Sequence, residues 1–477
     1  MGAWTATGGR PTQPPLAGAS DSVARCGRIR RYDAAPMSRR RVVITGLGPV
    51  TAHGVGIDPL WQALCDGRSA LAPIRAFDAS GFKAASGGEL PDTFDVKDLV
   101  PKSYRKATKV MARDIEIAVG GALMAVKDAG LKTRGTDPDN PPTIAPDRFG
   151  CHIGAGLIAA ELDELTAALS TSRDAGGRFD VANWGEKGMQ ELTPLWLLKY
   201  LPNMLACHVT IIHDCQGPSN TITCNEASSG LSLAESQRVI ERGAADACLS
   251  GGADSKLNPM AYLRQELAGR LAPCSPTSDA TAVVRPFDSA ATGSLIGEGG
   301  GILVVEAEET AKARGARIHA VLSGTGASQS WCDDTVGLLP DASGESLADA
   351  VSAALRDAGI SPAEVDAIIP YGSGVPALDS LEANALARVF GDGLAQKPVI
   401  TLAPSIGATV AGFGAIAVAV AARAIVEQRL PARLNSRSTG TLAAAAAPSA
   451  PCVLRHILVC TPSLGGQNSA AVISKPA

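Results

Sequence analysis

The sequence predicts an α/β protein assembled from two copies of one unit, and three observations carry that prediction. β-Branched, apolar runs such as Arg41-Val42-Val43-Ile44-Thr45 stop at glycine turns and read as buried strands. They alternate with stretches of helical apolar spacing such as Lys109 to Leu131. Finally, Ala122-Leu123 through Lys127-Asp128-Ala129-Gly130-Leu131 is echoed about half a chain later by Ala354-Leu355-Arg356-Asp357-Ala358-Gly359-Ile360.

Taken in order, residues 1–36 are rich in Gly, Pro, Ala and Arg without apolar periodicity, and are expected to be a disordered or spurious extension ahead of Met37. The first strand runs into Gly46-Leu47-Gly48. The sixth place of a G-x-G-x-x-G fingerprint would be Thr51, with no helix opening there, so no dinucleotide site is expected. The helix predicted over Lys109 to Leu131 ends at Ala129-Gly130, a stop signal. A strand from Arg148 to Ile153 follows, and Gly154-Ala155-Gly156 closes it. In the second copy, Gly372-Ser373-Gly374 plays that closing part. Alternating strands and helices imply mostly parallel sheets covered on both faces. Ala403 to Ile425 is apolar all round with nine alanines, the pattern of a buried core helix. Ser436 to Ala450 reads as a loose surface connection, His456 to Cys460 as a strand and Gly465-Gly466 as a turn.

Composition narrows the function. The 477 residues are 45% hydrophobic and 19% charged, with a formal net charge of −4, which argues against a nucleic-acid partner. No run of about 18 uninterrupted apolar residues occurs, so no membrane span is expected. The 11 cysteines are scattered and odd in number, and read as reduced thiols of a cytoplasmic protein. Gly297-Glu298-Gly299-Gly300-Gly301 lacks the Lys-Ser/Thr of a phosphate loop. It reads as a tight turn in which Glu298 makes a structural hydrogen bond or ion pair.

Several motifs then fall into one register. Val42-Val43-Ile44-Thr45-Gly46-Leu47-Gly48 resembles the opening strand of the β-ketoacyl-[acyl-carrier-protein] synthases, the ketosynthases. Pro202-Asn203-Met204 with Ala206-Cys207-His208-Val209-Thr210-Ile211 resembles the stretch before their nucleophile, and Gly217-Pro218-Ser219 their G-P-S/N. Leu249-Ser250-Gly251-Gly252-Ala253-Asp254 is similar to A-G-G-A-[DE]. Arg285-Pro286-Phe287-Asp288, Gly293 and Gly297-Glu298-Gly299 are similar to R-P-[FW]-D…G…G-[DE]-G, and Leu464-Gly465-Gly466-Gln467-Asn468 to F-G-G-T-N. The likeness runs from about Arg41 to Ser474, nearest to the 3-oxoacyl-[acyl-carrier-protein] synthase II type and its chain-length-factor cousins. It implies a thiolase-like fold, a duplicated α/β unit layered α-β-α-β-α, with an N-terminal half at 37–290 and a C-terminal half at 291–477. Cys207-His208 with His213-Asp214-Cys215 has the composition of a zinc set, but it falls in a family stretch that binds no metal. Neither metal nor cofactor is expected.

The resemblance also says which side chains ought to do the chemistry. A cysteine thiolate takes the acyl chain, two histidines stabilise the enolate left by decarboxylation of malonyl thioester, a lysine holds the histidines, and backbone N–H groups form an oxyanion hole. The cysteine should stand nine residues after Gly217 and 25 before Gly251; both counts end on Glu226. The histidine of N-x-H-G-T-x-T-P is replaced by Tyr371. In the K-x-x-x-G-H segment, Ala403 replaces the lysine and Ala408 the second histidine, while Leu464 replaces the gating phenylalanine. Leu464, Gly465 and Gly466, with Glu226, mark the expected pocket and oxyanion loop. Cys224, two residues early, is the outside candidate for a nucleophile; otherwise it reads as a small buried apolar residue.

A carboxylate is a poor acyl acceptor, because the mixed anhydride it forms is more reactive than the thioester feeding it. Glu226 is therefore expected to cap a helix, gaining about 0.3–1 kcal/mol from the helix dipole, and to fill the space of an acylated cysteine. An acid–base role with Tyr371 and a ligand-binding role are its alternatives. The function implied is a non-condensing, chain-length-factor-like subunit in fatty-acid or polyketide-type synthesis. It would pair with a catalytic ketosynthase, or with itself, and meet an acyl carrier protein. Its competitors are an active synthase or acyltransferase using Cys224, and a stand-alone binder of an acyl chain or acyl carrier protein.

Overall fold

The computed structural model describes residues 39–331, 341–437 and 442–477. The expected extension at 1–36 and part of the Ser436–Ala450 connection lie outside the described residues. Residues Arg40–Ala477 form one compact unit.

The first half begins with β1 (Val42–Thr51), every residue of which is buried. Helix α1 (Arg113–Asp128) follows, then β2 (Phe149–Ala155), α2 (Met204–His213), β3 (Ser219–Ile222), α3 (Ser228–Glu241), β4 (Ala247–Asp254), α4 (Pro259–Leu267) and β5 (Gly299–Ala307). The second half comprises β6 (Ala320–Gln329), α5 (Glu345–Ala358), β7 (Ala367–Ile369), α6 (Pro376–Phe390), α7 (Phe413–Glu427), β8 (His456–Pro462) and β9 (Gln467–Ser474).

The duplication read from the repeated helix is written into the sheet. Its order is β7-β8-β9-β6-β1-β5-β4-β2-β3. In the first half β3 and β4 flank β2 in parallel, then β4–β5 and β5–β1 are antiparallel. In the second half a parallel bridge Ile368–Val399 and the parallel pair β7–β8 are followed by antiparallel β8–β9 and β9–β6. The halves meet where β1 and β6 pair antiparallel. The expectation of mostly parallel sheets is thus corrected: only the outer strands are parallel. Continuous apolar runs report burial on both faces, not strand direction. Strand β5 lies beyond residue 290 yet sits between β1 and β4, so the sheet of the first half extends to Ala307.

Five layers result. Helix α1 packs on β1, β5 and β4 and α5 on β6 and β9, as the outer layers. Helices α3 and α7 lie together between the two halves and touch strands of both. The segment Val410–Glu427 is long and apolar enough to cross a membrane by composition, but 83% of it is buried inside this fold. The buried helix expected over Ala403–Ile425 is shorter than predicted. A single turn at Ala403–Ile406 stops at Gly407, which has φ +79°, and α7 starts only at Phe413. A Cβ on Gly407 would lie 2.6 Å from the Gly297 nitrogen, so this break needs glycine on both counts.

Candidate active site

Strand β3 points the chain into the site, and Cys224 follows two residues after its end. Asn225 has φ +46°, and Asn225–Ala227 forms a tight turn leading into α3. That turn swings Glu226 inward, where its side chain is fully buried. The expected helix cap is not made: Glu226 bonds no backbone N–H of α3, and neither of its oxygens has a well-directed hydrogen bond among the described residues. Its compensation is instead an ion pair with Arg270 Nη2. Arg270 is buried as well, and its Nη1 donates to Gln265 Oε1 at 3.1 Å. Burying two charges without such pairing is prohibitive, so each of these residues requires the other.

Tyr371 is buried beside this pair and packs edge-on against Phe413, with ring centroids 4.9 Å apart. Burial first, then the nearby Glu226, pushes its phenol well above the ordinary value. Two buried carboxyls on α6 hold its loop. Glu382 accepts from the N–H groups of Tyr371 (2.7 Å) and Gly372 (2.8 Å). Asp379 accepts from Phe287 N–H at 2.7 Å and Gly374 N–H at 3.2 Å. Burial drives the Glu382 carboxyl far up and that of Asp379 up to about 7.

Arg270, Ser294, Tyr371, Ser373 and Ala408 line an inner cavity of about 10 Å³, the room of roughly one water molecule. An outer pocket of about 250 Å³ is lined by Leu157, Asn225, Lys256, Ala261, Arg264, Gln265, Ala268, Arg270, Leu464 and Gly465. The structure therefore brings Tyr371 and Ala408 to one cavity, and Leu464 and Gly465 to another. Ala403 is buried and lines neither. Gly466 turns the loop at φ +84°, and its carbonyl accepts from Ser330 N–H at 2.7 Å. Cys224 is half-buried, and burial pushes its thiol up, away from the thiolate.

No histidine lines either cavity. His53 meets Ser405 Oγ at 2.9 Å, His152 meets Ser236 Oγ at 3.1 Å, and His208 meets Tyr104 Oη at 2.8 Å. His213 meets Thr133 Oγ1 at 2.8 Å, His319 meets Asp128 at 3.0 Å, and His456 meets Ser474 Oγ at 2.8 Å. Glu298 is buried and takes Leu90 N–H at 2.8 Å and the Arg113 guanidinium at 3.1 Å. It borders a separate groove of about 430 Å³, in which Arg75 pairs with Glu89 and Asp92.

Arg270 is the residue that the motifs did not single out. A lone cation in the run Gly269-Arg270-Leu271-Ala272 was its only signal. The paired carboxyls Asp379 and Glu382 were more visible, being three apart on one face of a helix.

Comparison with known proteins places the chain in a family. Residues 39–311 match the β-ketoacyl synthase N-terminal domain, and 319–437 match its C-terminal domain. The 3-oxoacyl-[acyl-carrier-protein] synthase 2 of Coxiella burnetii is 32% identical over 401 residues, covering 84% of this chain and 89% of that one. Among solved structures, the ishigamide ketosynthase/chain length factor superposes with a TM-score of 0.77 at 28% identity, over 92% of this chain and all of that one. A β-ketoacyl synthase from Burkholderia phymatum gives 0.77 at 25% identity, with 92% of this chain and 100% of that one covered. With both family domains matched in order across the fold just described, the chain belongs to the β-ketoacyl synthase family.

Proposed function

We propose that this chain is a non-condensing member of the family. In this reading it is the partner subunit of a catalytic ketosynthase, in the manner of a chain-length factor, and it acts in cytoplasmic acyl chain synthesis of the fatty-acid or polyketide kind. The ion pair between Glu226 and Arg270 carries the reading. At the position where the family needs a thiolate, a carboxylate is locked to a guanidinium. Alanine at 403 and 408 cannot donate a hydrogen bond or move a proton. The inner cavity leaves no room for an acyl group and a malonyl group side by side.

The surface supports a partner. Strand β3 is the end strand of the sheet, and Ser219 and Asn220 are exposed on it. The segment between β2 and α2 exposes Leu157, Phe179, Val181, Met189, Leu195 and Leu197. The turn Lys102–Val110 presents Lys102, Arg105, Lys106 and Lys109 to solvent, a cationic face suited to an anionic partner such as an acyl carrier protein. The likeness to a ketosynthase/chain length factor structure points the same way.

Co-expression with candidate catalytic ketosynthases tests this. A heterodimer that elongates chains, together with no 3-oxoacyl product from this chain alone, is the expected result. Monomer or homodimer in every combination would sink the pairing. Condensation by the chain alone would restore the reading of an active synthase.

A further inference from the structure

Arg270 is the one residue common to the linings of the inner cavity and the outer pocket. Everything else is divided between them: Tyr371 and Ala408 inside, Asn225, Leu464 and Gly465 outside. The guanidinium is not a loose surface arm. It is buried, tied to Gln265 on one nitrogen and ion-paired to Glu226 on another. Its Nε has no hydrogen-bond partner among the described residues. A side chain fixed in this way stands at the inner end of the outer pocket, with a space of only about 10 Å³ on its other side.

The outer pocket is mixed in character. Leu157, Ala261, Ala268 and Leu464 give it apolar sides and Arg264 gives it charge, while Lys256 in its lining is ion-paired with buried Asp254. Its volume of about 250 Å³ falls just below the usual range for small-molecule sites, about 300–1,000 Å³. Such a space takes a short chain and no more, unless the volume that Arg270 and Glu226 themselves fill is opened.

We propose that Glu226 and Arg270 form a two-residue plug that closes the outer pocket at its inner end and limits the length of acyl chain this subunit accepts. This rests on the proposed reading, a non-condensing subunit of acyl chain synthesis, and adds to it that the outer pocket holds an acyl chain. Arg270 supplies the bulk. Glu226 supplies the charge that makes it tolerable to bury Arg270 there.

Calorimetric binding of octanoyl-, dodecanoyl- and hexadecanoyl-pantetheine to the full chain tests the plug. The native protein is expected to bind octanoyl-pantetheine and to bind the dodecanoyl compound at least about tenfold more weakly. The double variant Glu226→Ala/Arg270→Ala should bring the two within about threefold. The bulk-retaining, uncharged pair Glu226→Gln/Arg270→Met should keep the native limit. An unchanged length preference in a folded double-alanine variant overturns the plug, and so does native protein that takes all three chains equally. Absence of binding by every form overturns the acyl-holding reading itself. Should the alanine pair not fold, a crystal structure of the native chain with octanoyl-pantetheine decides. A chain end within about 4 Å of Arg270 supports the plug, and a chain end elsewhere overturns it.

Discussion

The Arg270 guanidinium meets the Glu226 carboxylate across 44 residues of sequence, with 8% of the one side chain and none of the other exposed to solvent. Neither charge could stay in that place alone. Removing one partner from a buried pair costs about 3–5 kcal/mol, because the survivor stays buried and uncompensated; replacing both with apolar or neutral groups of similar volume is often neutral or stabilising. Glu226→Gln and Arg270→Met should therefore each lower the stability to urea by about that amount, while the double variant returns close to native. Two additive single losses would show that the pair is not coupled.

Cys224 should not act as a nucleophile. Burial pushes its thiol up, and its backbone N–H is tied to Ser228 Oγ at 2.8 Å. Nucleophilic cysteines are usually helped the other way, by cations or a helix N-terminus that favour the thiolate. An acyl-thioester or cerulenin-type probe should leave Cys224 unmodified by mass spectrometry, and Cys224→Ala should leave the activity of the heterodimer unchanged. Glu226→Cys should not restore condensation either, because Tyr371 and Ala408 provide no imidazole to the inner cavity. A labelled Cys224 would reverse the assignment.

How far the sequence foretold these features depended on distance along the chain. The echo between Ala122–Leu131 and Ala354–Ile360 anticipated the pseudo-symmetric sheet, since a repeated helix signals a repeated unit. The direction of the inner strands was not legible, because β1 and β5 are buried whichever way their neighbours run. Glu226 could be found by counting from glycines that hold the turns around it. Arg270 could not, since nothing local marks a cation whose partner comes from another element. The break at Gly407 was hidden for a related reason: an apolar, alanine-rich run reads as helix until the close approach of Gly297 is known.

The loop that carries Tyr371 depends on Glu382. Both oxygens of that carboxyl accept backbone N–H groups, from Tyr371 and Gly372, inside the fold. Glu382→Gln keeps the shape but turns an NH₂ toward one of those N–H groups, leaving a donor unsatisfied at about 1–3 kcal/mol. Chemical unfolding should show a loss in that range. The same exchange at exposed Glu186 should stay within about 0.5 kcal/mol. Equal effects at the two sites would mean that Glu382 does not organise the loop.

The neighbouring Asp379 should give stability a pH dependence of unusual sign for a carboxylate. Burial raises its carboxyl from 3.8 to about 7, even though the backbone N–H groups of Phe287 and Gly374 favour the charged form. Between those values the folded state holds the proton and the unfolded state does not, so folding is favoured at the acid end. The contribution is fully present below about 4 and is lost as pH rises through about 7. His152, pushed down from 6.5 to about 4 by burial, acts oppositely: its contribution is present above 6.5 and fades as pH falls through about 4. The two windows overlap, so total stability alone would blur them, and comparison with Asp379→Asn separates them. Native stability minus variant stability should be largest near pH 4 and should shrink steadily up to about pH 7. Relief of Glu382 from its charged neighbour works in the same direction. Urea unfolding at a series of pH values gives the difference directly, and a difference that grows with pH would show that Asp379 is charged in the native fold throughout.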